Sequence, residues 1–492
     1  MRARGPRSAA IVNLGCKVNQ SEMEAAARLL RSRGVAVVGG HERADLVLVN
    51  TCTVTAEADA KSRHAVRRAR REHPDAELIV TGCSVQVAPD ALAAADPRAR
   101  LVDNTAKDTL LAELEAIIGL PDGAAGPLAG ALPTISGVEL ASAVDDRAAV
   151  ERTRAFVKVQ DGCSFFCTYC IIPTARGRER SLPPEAVLAD VRRALAAGHR
   201  EIVLTGINIG TYDGGRSERG PRGSHRSAAL TLAGLVRRLL DETEVERIRL
   251  SSIEPQHVDD ELLEVWAGSR GRCLPHFHVP LQSGDDAILR RMGRRYDRAA
   301  YAATVAHIRD AIPRVAIHGD VIVGFPTEDE MAWERSLAFI RSIGFAGIHV
   351  FRYSARPGTP AVRMPSVVDE PSRKRRAGEL LAVAAEARTS FAAAHVGREA
   401  AVLFESRLAD GRWVGHAEDH VLVAARPPAG EPDGDLENAI GRVRVTGIDR
   451  EAADRAIGRV LAFDRRRPIT RGLPVLSIVP ATPRQPGGIH AS

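Results

Sequence analysis

Residues 8–118 alternate between short apolar runs and longer amphipathic stretches. The runs AAIVNLG, ADLVLVNT and AELIVTGC have the length and composition of buried strands. Between them, SEMEAAARLLRSRG begins with a serine and ends with a glycine, and AEADAKSRHAVRRARREHP ends at Pro74, as helices commonly do. Strands that alternate with helices predict an α/β domain built on a parallel sheet.

The same alternation resumes from 151 to 365. Six apolar runs are candidate strands: AFVKVQ, EIVLTGI, RIRLSS, HFHVPL, VAIHGDVIVGF and GIHVFRY. Amphipathic stretches such as PPEAVLADVRRALAAG lie between them. Six strand–helix units predict a full or partial βα barrel, whose active site would lie at the carboxyl ends of the strands.

The remaining segments have other patterns. Residues 119–150 are rich in Gly, Ala and Pro and predict a linker, and 211–229 predict a disordered surface loop. A helical connector is expected at 366–394. Short strands separated by turn residues predict a small all-β barrel at 395–463, and 464–492 predict a disordered tail.

Composition narrows the class of protein. Hydrophobic residues make up 45% and charged residues 26% of the 492, which is typical of globular proteins. No apolar run reaches the ~18 residues that a membrane helix needs, so we expect a cytoplasmic protein. The formal charge of +6 is a weak indication of a polyanionic partner. Seven cysteines cannot all pair, and in a reducing compartment a cysteine cluster favours metal binding or catalysis.

Three cysteines follow three predicted strands of the first domain. Cys16, Cys52 and Cys83 each stand at or just after the end of an apolar run. Ligands of open parallel sheets gather at the carboxyl ends of strands. These three cysteines are therefore expected to meet at one edge of the sheet.

Three more cysteines form a C-x3-C-x2-C motif directly after the first predicted barrel strand. Cys163, Cys167 and Cys170 offer three thiolates on one loop. A structural zinc site would need a fourth ligand. Three ligands to a 4Fe–4S cluster would leave one iron open for a substrate. Zinc and chance burial of three structural cysteines remain as alternatives.

The motif and its position resemble the radical S-adenosylmethionine (SAM) superfamily. Tyr169, just before the third cysteine, also fits that pattern. Further segments are similar to the methylthiotransferase family within it, in the same order along 10–465. These segments are VNLGCKVNQSEME, VNTCTVTAEADAKSR, VTGCSVQ, LTGINIG, LSSIEP, HVPLQSG and DVIVGFP.

The resemblance implies two 4Fe–4S clusters and SAM as cofactors. Cys163, Cys167 and Cys170 would hold the cluster that cleaves SAM to a 5′-deoxyadenosyl radical. Cys16, Cys52 and Cys83 would hold an auxiliary cluster that carries sulfur. The family's terminal barrel is an RNA-binding TRAM domain, so the implied partners are tRNA, a reductant such as flavodoxin or ferredoxin, and a sulfur donor.

Within the family, LGCKVNQ, TCTVT and CTYCIIPTARGR most resemble the branch that methylthiolates carbon 2 of N6-threonylcarbamoyladenosine at position 37 of tRNA. Modification of isopentenyladenosine in tRNA or of a ribosomal-protein aspartate remains open. A non-catalytic iron–sulfur RNA-binding protein and a zinc scaffold are alternatives of other classes. The sequence departs from the family at GFPTED, where Thr327 replaces a glycine, and at Thr174, where an aromatic is usual.

Several strand-end residues are candidate SAM contacts. Glycine lets a backbone approach a nucleoside closely, and polar groups there can bond a ribose. The candidates, for which ordinary strand-end turns are the alternative, are Gly206, Ser251, Gln282 and Val323.

Basic and histidine-rich stretches give weaker predictions. An arginine stripe on one helix face suits either phosphate or solvent, and the arginines after the motif suit RNA or cofactor. Cys273, His276 and His278 offer metal-type ligands, although barrel packing is the favoured interpretation. The stripe consists of Arg63, Arg67, Arg70 and Arg71, and the arginines after the motif are Arg176, Arg178 and Arg180.

Overall fold

The computed structural model describes residues 6–39, 42–104, 107–118, 153–215, 230–427, 436–464 and 476–477. The chain divides into two compact units. The first contains the N-terminal α/β region together with Thr174–Arg176 and the C-terminal segment from Gly472, and the second contains the central and terminal barrels. The predicted linker 119–150 and residues 216–229 of the predicted surface loop lie outside the described residues.

The first unit is built on a parallel sheet. Its strand order is β19-β1-β3-β4-β5, and β2 also pairs with β1. The strands are β1 (Ser8–Asn13), β2 (Ala36–Val38), β3 (Leu46–Thr51), β4 (Glu77–Gly82), β5 (Arg100–Val102) and β19 (Leu476–Ser477), and the helices are α1 (Lys17–Ser32), α2 (Ala56–Glu72), α3 (Cys83–Val87), α4 (Pro89–Ala93) and α5 (Lys107–Ile118).

Both faces of this sheet are covered, because the strands are apolar on both sides. All six residues of β3 are buried, as the continuous run LVLVNT requires. The strand β19 lies inside the segment predicted to be disordered, where it pairs in parallel with Val12 and Asn13 of β1. A two-residue strand has too little periodicity to be recognised in a sequence.

The central part of the second unit is a partial barrel of six parallel strands. The strand order is β10-β9-β6 in one sheet and β11-β12-β13 in the other. Parallel bridges from Ile248 to Cys273 and from Ser252 to His278 connect the two. The strands are β6 (Arg154–Lys158), β9 (Glu201–Thr205), β10 (Arg247–Leu250), β11 (His276–His278), β12 (Ala316–Val323) and β13 (Gly347–Arg352), with a small antiparallel pair β7 (Gln160–Asp161) and β8 (Arg180–Ser181).

Helices cover the outside of these strands, and aspartates begin many of them. Asp259, Asp285, Asp297 and Asp329 each accept a hydrogen bond from a backbone amide of the first turn. Such caps satisfy amides that have no partner inside the helix. The helices are α6 (Ile172–Arg176), α7 (Pro184–Ala196), α8 (Leu232–Glu242), α9 (Asp260–Gly268), α10 (Asp286–Met292), α11 (Arg298–Ala311), α12 (Glu330–Ile343) and α13 (Glu370–Ala393).

The terminal strands form a closed barrel in the order β14-β15-β16-β18-β17. The fold class predicted from the sequence is therefore confirmed, including the small all-β barrel. No described helix has the length and apolar composition of a membrane span. The barrel strands are β14 (Glu399–Arg407), β15 (Trp413–His416), β16 (Leu422–Arg426), β17 (Ile440–Ile448) and β18 (Arg455–Asp464).

Buried arginines join the terminal barrel to the amino ends of the central strands. Arg247 donates to the carbonyls of Ala401 (3.2 Å) and His416 (3.4 Å). Arg249 donates to the carbonyls of Glu418 (3.3 Å) and Ala417 (3.4 Å). The carboxyl ends of the central strands, where the cysteine motif lies, are at the opposite end of the barrel.

Candidate functional site

The C-x3-C-x2-C motif occupies the loop between β7 and α6. The backbone amide of Cys170 donates to the carbonyl of Cys167 at 2.9 Å, which folds the last part of the motif into a turn. Gly162 begins the loop with a positive φ of 71°, and a Cβ there would lie 2.0 Å from the carbonyl oxygen of Arg178. Only glycine fits at this position.

Hydrogen-bond donors face the sulfurs of the motif, and the Ile172 amide is the donor to Cys170. Cys163 Sγ accepts from the Phe165 amide at 3.4 Å and from Asn208 Nδ2 at 3.9 Å. Cys167 Sγ accepts from Arg294 Nη1 at 3.4 Å. Donors and a guanidinium stabilise negative charge on sulfur, so the loop suits thiolates that hold an iron–sulfur cluster.

Burial favours the protonated thiol of Cys163 and of Cys170 in the protein alone. Burial raises the pKa of the Cys170 thiol to about 12, and it also raises the pKa of Cys163. A bound metal ion reverses this preference because it stabilises the deprotonated ligand directly. All seven cysteines are free of disulfides, as metal ligands must be.

Unsatisfied polar atoms surround the loop. Ser164 Oγ, Asn208 Oδ1 and Ser251 Oγ are buried and have no hydrogen-bond partner among the described residues. Buried polar atoms are normally paired, so three of them around one loop indicate that a bound molecule supplies the partners. SAM, which carries amino, carboxylate and ribose hydroxyl groups, fits this requirement.

The structure places the other predicted SAM contacts at strand ends. Gly206 directly follows β9, and a Cβ there would lie 2.6 Å from the Ile209 side chain and 3.0 Å from the Gln160 carbonyl oxygen. Ser251 directly follows β10 and is buried. Val323 is the buried last residue of β12.

Gln282 and Tyr169 have distinct environments. Gln282 has a positive φ of 68°, and its amide donates to the Asp320 carbonyl at 2.7 Å. Tyr169 packs edge to face against Phe325 with 6.3 Å between the ring centroids, so it contributes to packing beside the motif. Their contacts with SAM stay predictions.

Three polar residues near the motif were not predicted from the sequence. Arg294 pairs with the carboxylate of Glu254 as well as with Cys167. Gln160 Oε1 accepts from the amides of Ile207 and Asn208 at 3.0 and 2.8 Å, which fixes the loop after β9. Arg294 is distant from the motif in the sequence, and Gln160, although it is close to the motif, bonds to a distant loop, so no local spacing identifies these contacts.

In the first unit, Cys16, Cys52 and Cys83 follow β1, β3 and β4 at the carboxyl edge of the sheet. The three thiols are close enough for their charges to interact. Burial is the largest cause that raises the pKa of Cys52 to about 12, and the charges of Cys83 and Cys16 raise this pKa further. Asn104, two residues after the end of β5, donates to Cys83 Sγ at 3.7 Å. The predicted convergence is therefore present.

Arg176 belongs to the same compact unit as these cysteines and is buried there. Its Nη1 lies 3.0 Å from Glu22 Oε1, and its Nη2 donates to Asn19 Oδ1. Cys16 Sγ lies 3.8 Å from the same Asn19 oxygen. Arg176 is only 3% exposed, so it is unsuited to an RNA surface and instead supports the side chains around Cys16.

The residues of this edge fit an iron–sulfur cluster. The edge offers three free thiols and the side-chain amide of Asn104 as a donor. The buried guanidinium of Arg176 lowers the pKa of Cys16, although burial has the larger, opposite effect. Three thiolates give a cluster a net negative charge, which Arg176 would partly neutralise. The residues that would hold the iron–sulfur cluster therefore all lie at this edge of the sheet.

The arginine stripe of α2 is only partly free for phosphate. Arg70 pairs with Asp96 at 2.7 Å and donates to the carbonyls of Pro74 and Ala76, so it is structural. Arg67 and Arg71 are exposed. The remaining face can meet either solvent or RNA.

The histidines of CLPHFHVP do not form a ligand set with Cys273. Cys273 is buried in the central core, and its backbone amide donates to Ser269 Oγ at 3.0 Å. His276 stacks against His420 with 4.6 Å between centroids, and His278 lies 2.8 Å from Asp320. The two histidines therefore have separate partners.

Comparisons with known proteins agree with this geometry. Residues 8–103 match an uncharacterized protein family, UPF0004, and residues 157–340 match the radical SAM superfamily. A relative from Bacillus subtilis (strain 168), threonylcarbamoyladenosine tRNA methylthiotransferase MtaB, is 35% identical over 418 residues, which are 83% of this chain and 88% of the relative. The chain belongs to the radical SAM tRNA methylthiotransferases. The family, enzyme class and fold class predicted from the sequence are confirmed.

Other methylthiotransferases differ in the substrate that their names state. The MtaB of Chlamydia pneumoniae is 38% identical over 71% of this chain and 76% of its own length. A tRNA-2-methylthio-N(6)-dimethylallyladenosine synthase from Novosphingobium aromaticivorans is 33% identical over 83% of this chain and 89% of its own length. Membership implies SAM, a 4Fe–4S cluster and a tRNA substrate.

Solved structures support the fold. The radical SAM methyltransferase TsrM from Kitasatospora setae, with cobalamin and a [4Fe-4S] cluster bound, has a TM-score of 0.50 at 16% identity. The match covers 72% of this chain and 77% of TsrM. At this identity the likeness concerns the fold alone.

Proposed function

We propose that this methylthiotransferase replaces the hydrogen on carbon 2 of N6-threonylcarbamoyladenosine, at position 37 of tRNA, with a methylthio group. The observation that carries the proposal is the presence of two three-cysteine sets, each at the carboxyl ends of parallel strands. The choice of the threonylcarbamoyl branch is supported by relatives named MtaB at 35% and 38% identity.

The two cysteine sets have separate roles in this proposal. Cys163, Cys167 and Cys170 hold the 4Fe–4S cluster that supplies radical chemistry with SAM, which is needed because an aromatic C–H bond offers no accessible acid–base route. Cys16, Cys52 and Cys83 hold the auxiliary cluster that supplies the sulfur. Six cysteine ligands thus account for all the cysteines except Cys273.

The side chains around the motif bind and orient SAM. Ser251 Oγ and Asn208 Oδ1, which lack partners in the part of the chain that the structure describes, offer hydrogen bonds to its polar groups. Gly206 leaves space for close approach of the backbone, since a side chain there would collide with Ile209. Arg294 donates to Cys167 Sγ and thereby stabilises negative charge on the ligated sulfur.

The overall reaction balances with two molecules of SAM. The hydrogen removed from carbon 2 leaves on 5′-deoxyadenosine, which one SAM forms with release of methionine. The second SAM supplies the methyl group of the new C–S–CH3 unit and leaves as S-adenosylhomocysteine. A flavodoxin- or ferredoxin-type reductant supplies electrons, and a sulfur donor replaces the sulfur consumed. These partners and the tRNA substrate are consistent with a cytoplasmic enzyme.

The test is turnover by the anaerobically reconstituted enzyme. With SAM and reductant it should convert tRNA that carries threonylcarbamoyladenosine to the methylthio form, and leave isopentenyladenosine tRNA unchanged. Iron should amount to about eight atoms per chain, as two 4Fe–4S clusters require. Conversion of isopentenyladenosine alone would favour the alternative to which the dimethylallyladenosine synthase relative points.

Cysteine variants separate the two clusters. Combined replacement of Cys163, Cys167 and Cys170 by alanine should abolish 5′-deoxyadenosine formation and remove about half of the iron. Replacement of Cys16, Cys52 and Cys83 should abolish methylthiolation while the other cluster still cleaves SAM. Cys273→Ala, which alters a buried cysteine outside both sets, is the matched control and should retain both activities.

A chain with both clusters and tRNA affinity but no 5′-deoxyadenosine would instead be a non-catalytic RNA-binding protein. A chain with zinc and no iron would be a zinc scaffold. Activity on a ribosomal-protein aspartate in place of tRNA would move the reaction to the protein-modifying branch.

A further inference from the structure

Three metal-type side chains that belong to neither cysteine set lie together on adjacent strands of the central barrel. His278 lies on β11, Asp320 on β12 and His349 on β13. Asp320 and His349 are direct partners in the strand register. His278 is the partner of His318, which stands two residues before Asp320 and therefore on the same face of β12. One ligand atom from each side chain lies within 4.8 Å of the others.

Two of the three ligand–ligand distances fit adjacent positions of a metal coordination sphere. Asp320 Oδ1 lies 2.8 Å from His278 Nε2 and 3.1 Å from His349 Nδ1. Adjacent ligands of an octahedral ion with bonds of about 2.1 Å lie about 3.0 Å apart. Two histidines and one carboxylate on one face are a known ligand set for divalent transition metals, with the remaining positions open.

The site also has an open side. The exposed fraction of the side chain rises from 13% for His278 to 20% for Asp320 and 59% for His349. An ion can therefore enter from the side of His349, and that imidazole has room to adjust its position.

The charge of Asp320 favours a cation. Burial opposes that charge, but His278 and His349 outweigh it and hold the pKa of the carboxyl below its usual range. Glu254 also interacts with Asp320, although Glu254 is itself paired with Arg294. The anionic ligand of the site is therefore the Asp320 carboxylate.

A second histidine group gives a useful contrast. His276, His318 and His420 also offer ligand atoms within 4.8 Å of one another. Arg154 Nη1, however, lies 3.5 Å from His420 Nε2, and no carboxylate belongs to the group. The positive charge of Arg154 opposes a dication beside His420, and no described carboxylate offsets it within this group, so the two groups should differ in metal binding.

We propose that His278, Asp320 and His349 bind one divalent transition-metal ion, such as Mn²⁺, Fe²⁺ or Zn²⁺, in addition to the iron–sulfur clusters. The ion takes a nitrogen from each histidine and an oxygen from the carboxylate. Its open positions, on the exposed side, take oxygen ligands such as water. This binding site is independent of which nucleoside the enzyme modifies.

The experiment is a titration of the anaerobically reconstituted full chain with Mn²⁺. Mn²⁺ is the probe because it prefers oxygen and nitrogen ligands and does not compete for the cysteine thiolates. The signal of free Mn²⁺ in electron paramagnetic resonance should fall until one equivalent is bound per chain. Added Zn²⁺ should displace the bound Mn²⁺.

Variants assign the binding to these residues. His349→Gln and Asp320→Asn should each weaken Mn²⁺ binding at least tenfold while the iron content stays that of the wild type. His307→Gln is the matched control, because His307 is an exposed histidine 3.1 Å from Asp260 and has no third ligand among the described residues. This variant should bind Mn²⁺ as the wild type does.

Two results would overturn the proposal. One is a wild-type enzyme that leaves the free Mn²⁺ signal undiminished at one equivalent. The other is wild-type affinity for Mn²⁺ in His349→Gln. Because His349 is largely exposed, this variant should fold, so its result is sufficient even if Asp320→Asn does not fold.

Discussion

Replacement of Glu201 by glutamine should destabilise the second unit severely. Glu201 is fully buried at the start of β9, where its carboxylate lies 2.9 Å from Arg247 and 2.8 Å from Arg249. Both arginines also donate to carbonyls of the terminal barrel. Glu201→Gln keeps the shape of the side chain but leaves two buried guanidinium groups without their counter-charge.

The cost follows from the burial of all three groups. Removal of one partner from a buried ion pair typically costs about 3–5 kcal/mol, because the remaining charge stays desolvated. A second route gives a similar figure. Burial would raise the pKa of Glu201, but Arg249, Arg247 and Arg154 outweigh it and lower the pKa to about 2 from 4.5. A shift of this size corresponds to about 3 kcal/mol.

The sign of the pH dependence follows from this shift. A carboxyl whose pKa is lower in the folded state stabilises the fold fully above its unfolded pKa and loses that contribution as pH falls towards its folded pKa. For Glu201 this window runs from 4.5 down to about 2. The difference between wild type and Glu201→Gln should therefore narrow by about 0.8 kcal/mol between pH 7 and pH 4.

Urea unfolding followed by tryptophan fluorescence measures both effects. Asp454→Asn is the matched control, because Asp454 forms an exposed pair with Arg388 at 3.1 Å and should cost at most about 1 kcal/mol. If Glu201→Gln cost no more than this control at pH 7, the buried arginines would not depend on Glu201 and the reasoning would fail.

Three further variants test other parts of the structure. Thr327 has a positive φ of 73°, so Thr327→Gly should stabilise the chain in urea by about 0.5–1 kcal/mol, and destabilisation would contradict the assigned strain. Ser251→Ala should raise the Kd for SAM by roughly 2–10-fold in equilibrium dialysis, since a hydrogen bond contributes about 0.5–1.5 kcal/mol; an unchanged Kd would exclude Ser251 as a contact. Arg176→Met removes the guanidinium that pairs with the buried Glu22, so it should lower the free energy of unfolding in urea by about 3–5 kcal/mol and reduce the iron bound by the auxiliary set. Wild-type stability would show that the pair is dispensable.

The sequence was sufficient to predict the arrangement of strands and cysteines. The carboxyl ends of parallel strands meet at one edge whatever the intervening helices contain, so cysteines that follow β1, β3 and β4 had to converge. The terminal barrel was equally visible, because its short strands and frequent turn residues differ from the helix-rich segments before it.

The partners of the cysteines could not be read in the same way. Arg294 is 127 residues from Cys167, and Asn104 is 21 residues from Cys83. Neither stands at a spacing that identifies it. Arg176 was misleading for a related reason: a charge run close to a motif suggests an exposed surface, but its pairing with Glu22, 154 residues away, is a tertiary contact.

The group formed by His278, Asp320 and His349 was also hidden. CLPHFHVP drew attention to His276 and His278, but strand alternation alone does not tell which residues of a neighbouring strand face them. Register supplies that information, because it places Asp320 opposite His349. A one-residue shift would have separated all three.

The most direct test of the central claim is nucleoside mass spectrometry of total tRNA from cells with and without this gene. Loss of the methylthio form of N6-threonylcarbamoyladenosine, with accumulation of its unmodified precursor, is the predicted result. Restoration by the wild-type gene, but not by one that lacks Cys16, Cys52 and Cys83, would tie the loss to the auxiliary set. If the methylthio form of threonylcarbamoyladenosine persists without the gene, the proposed substrate is wrong.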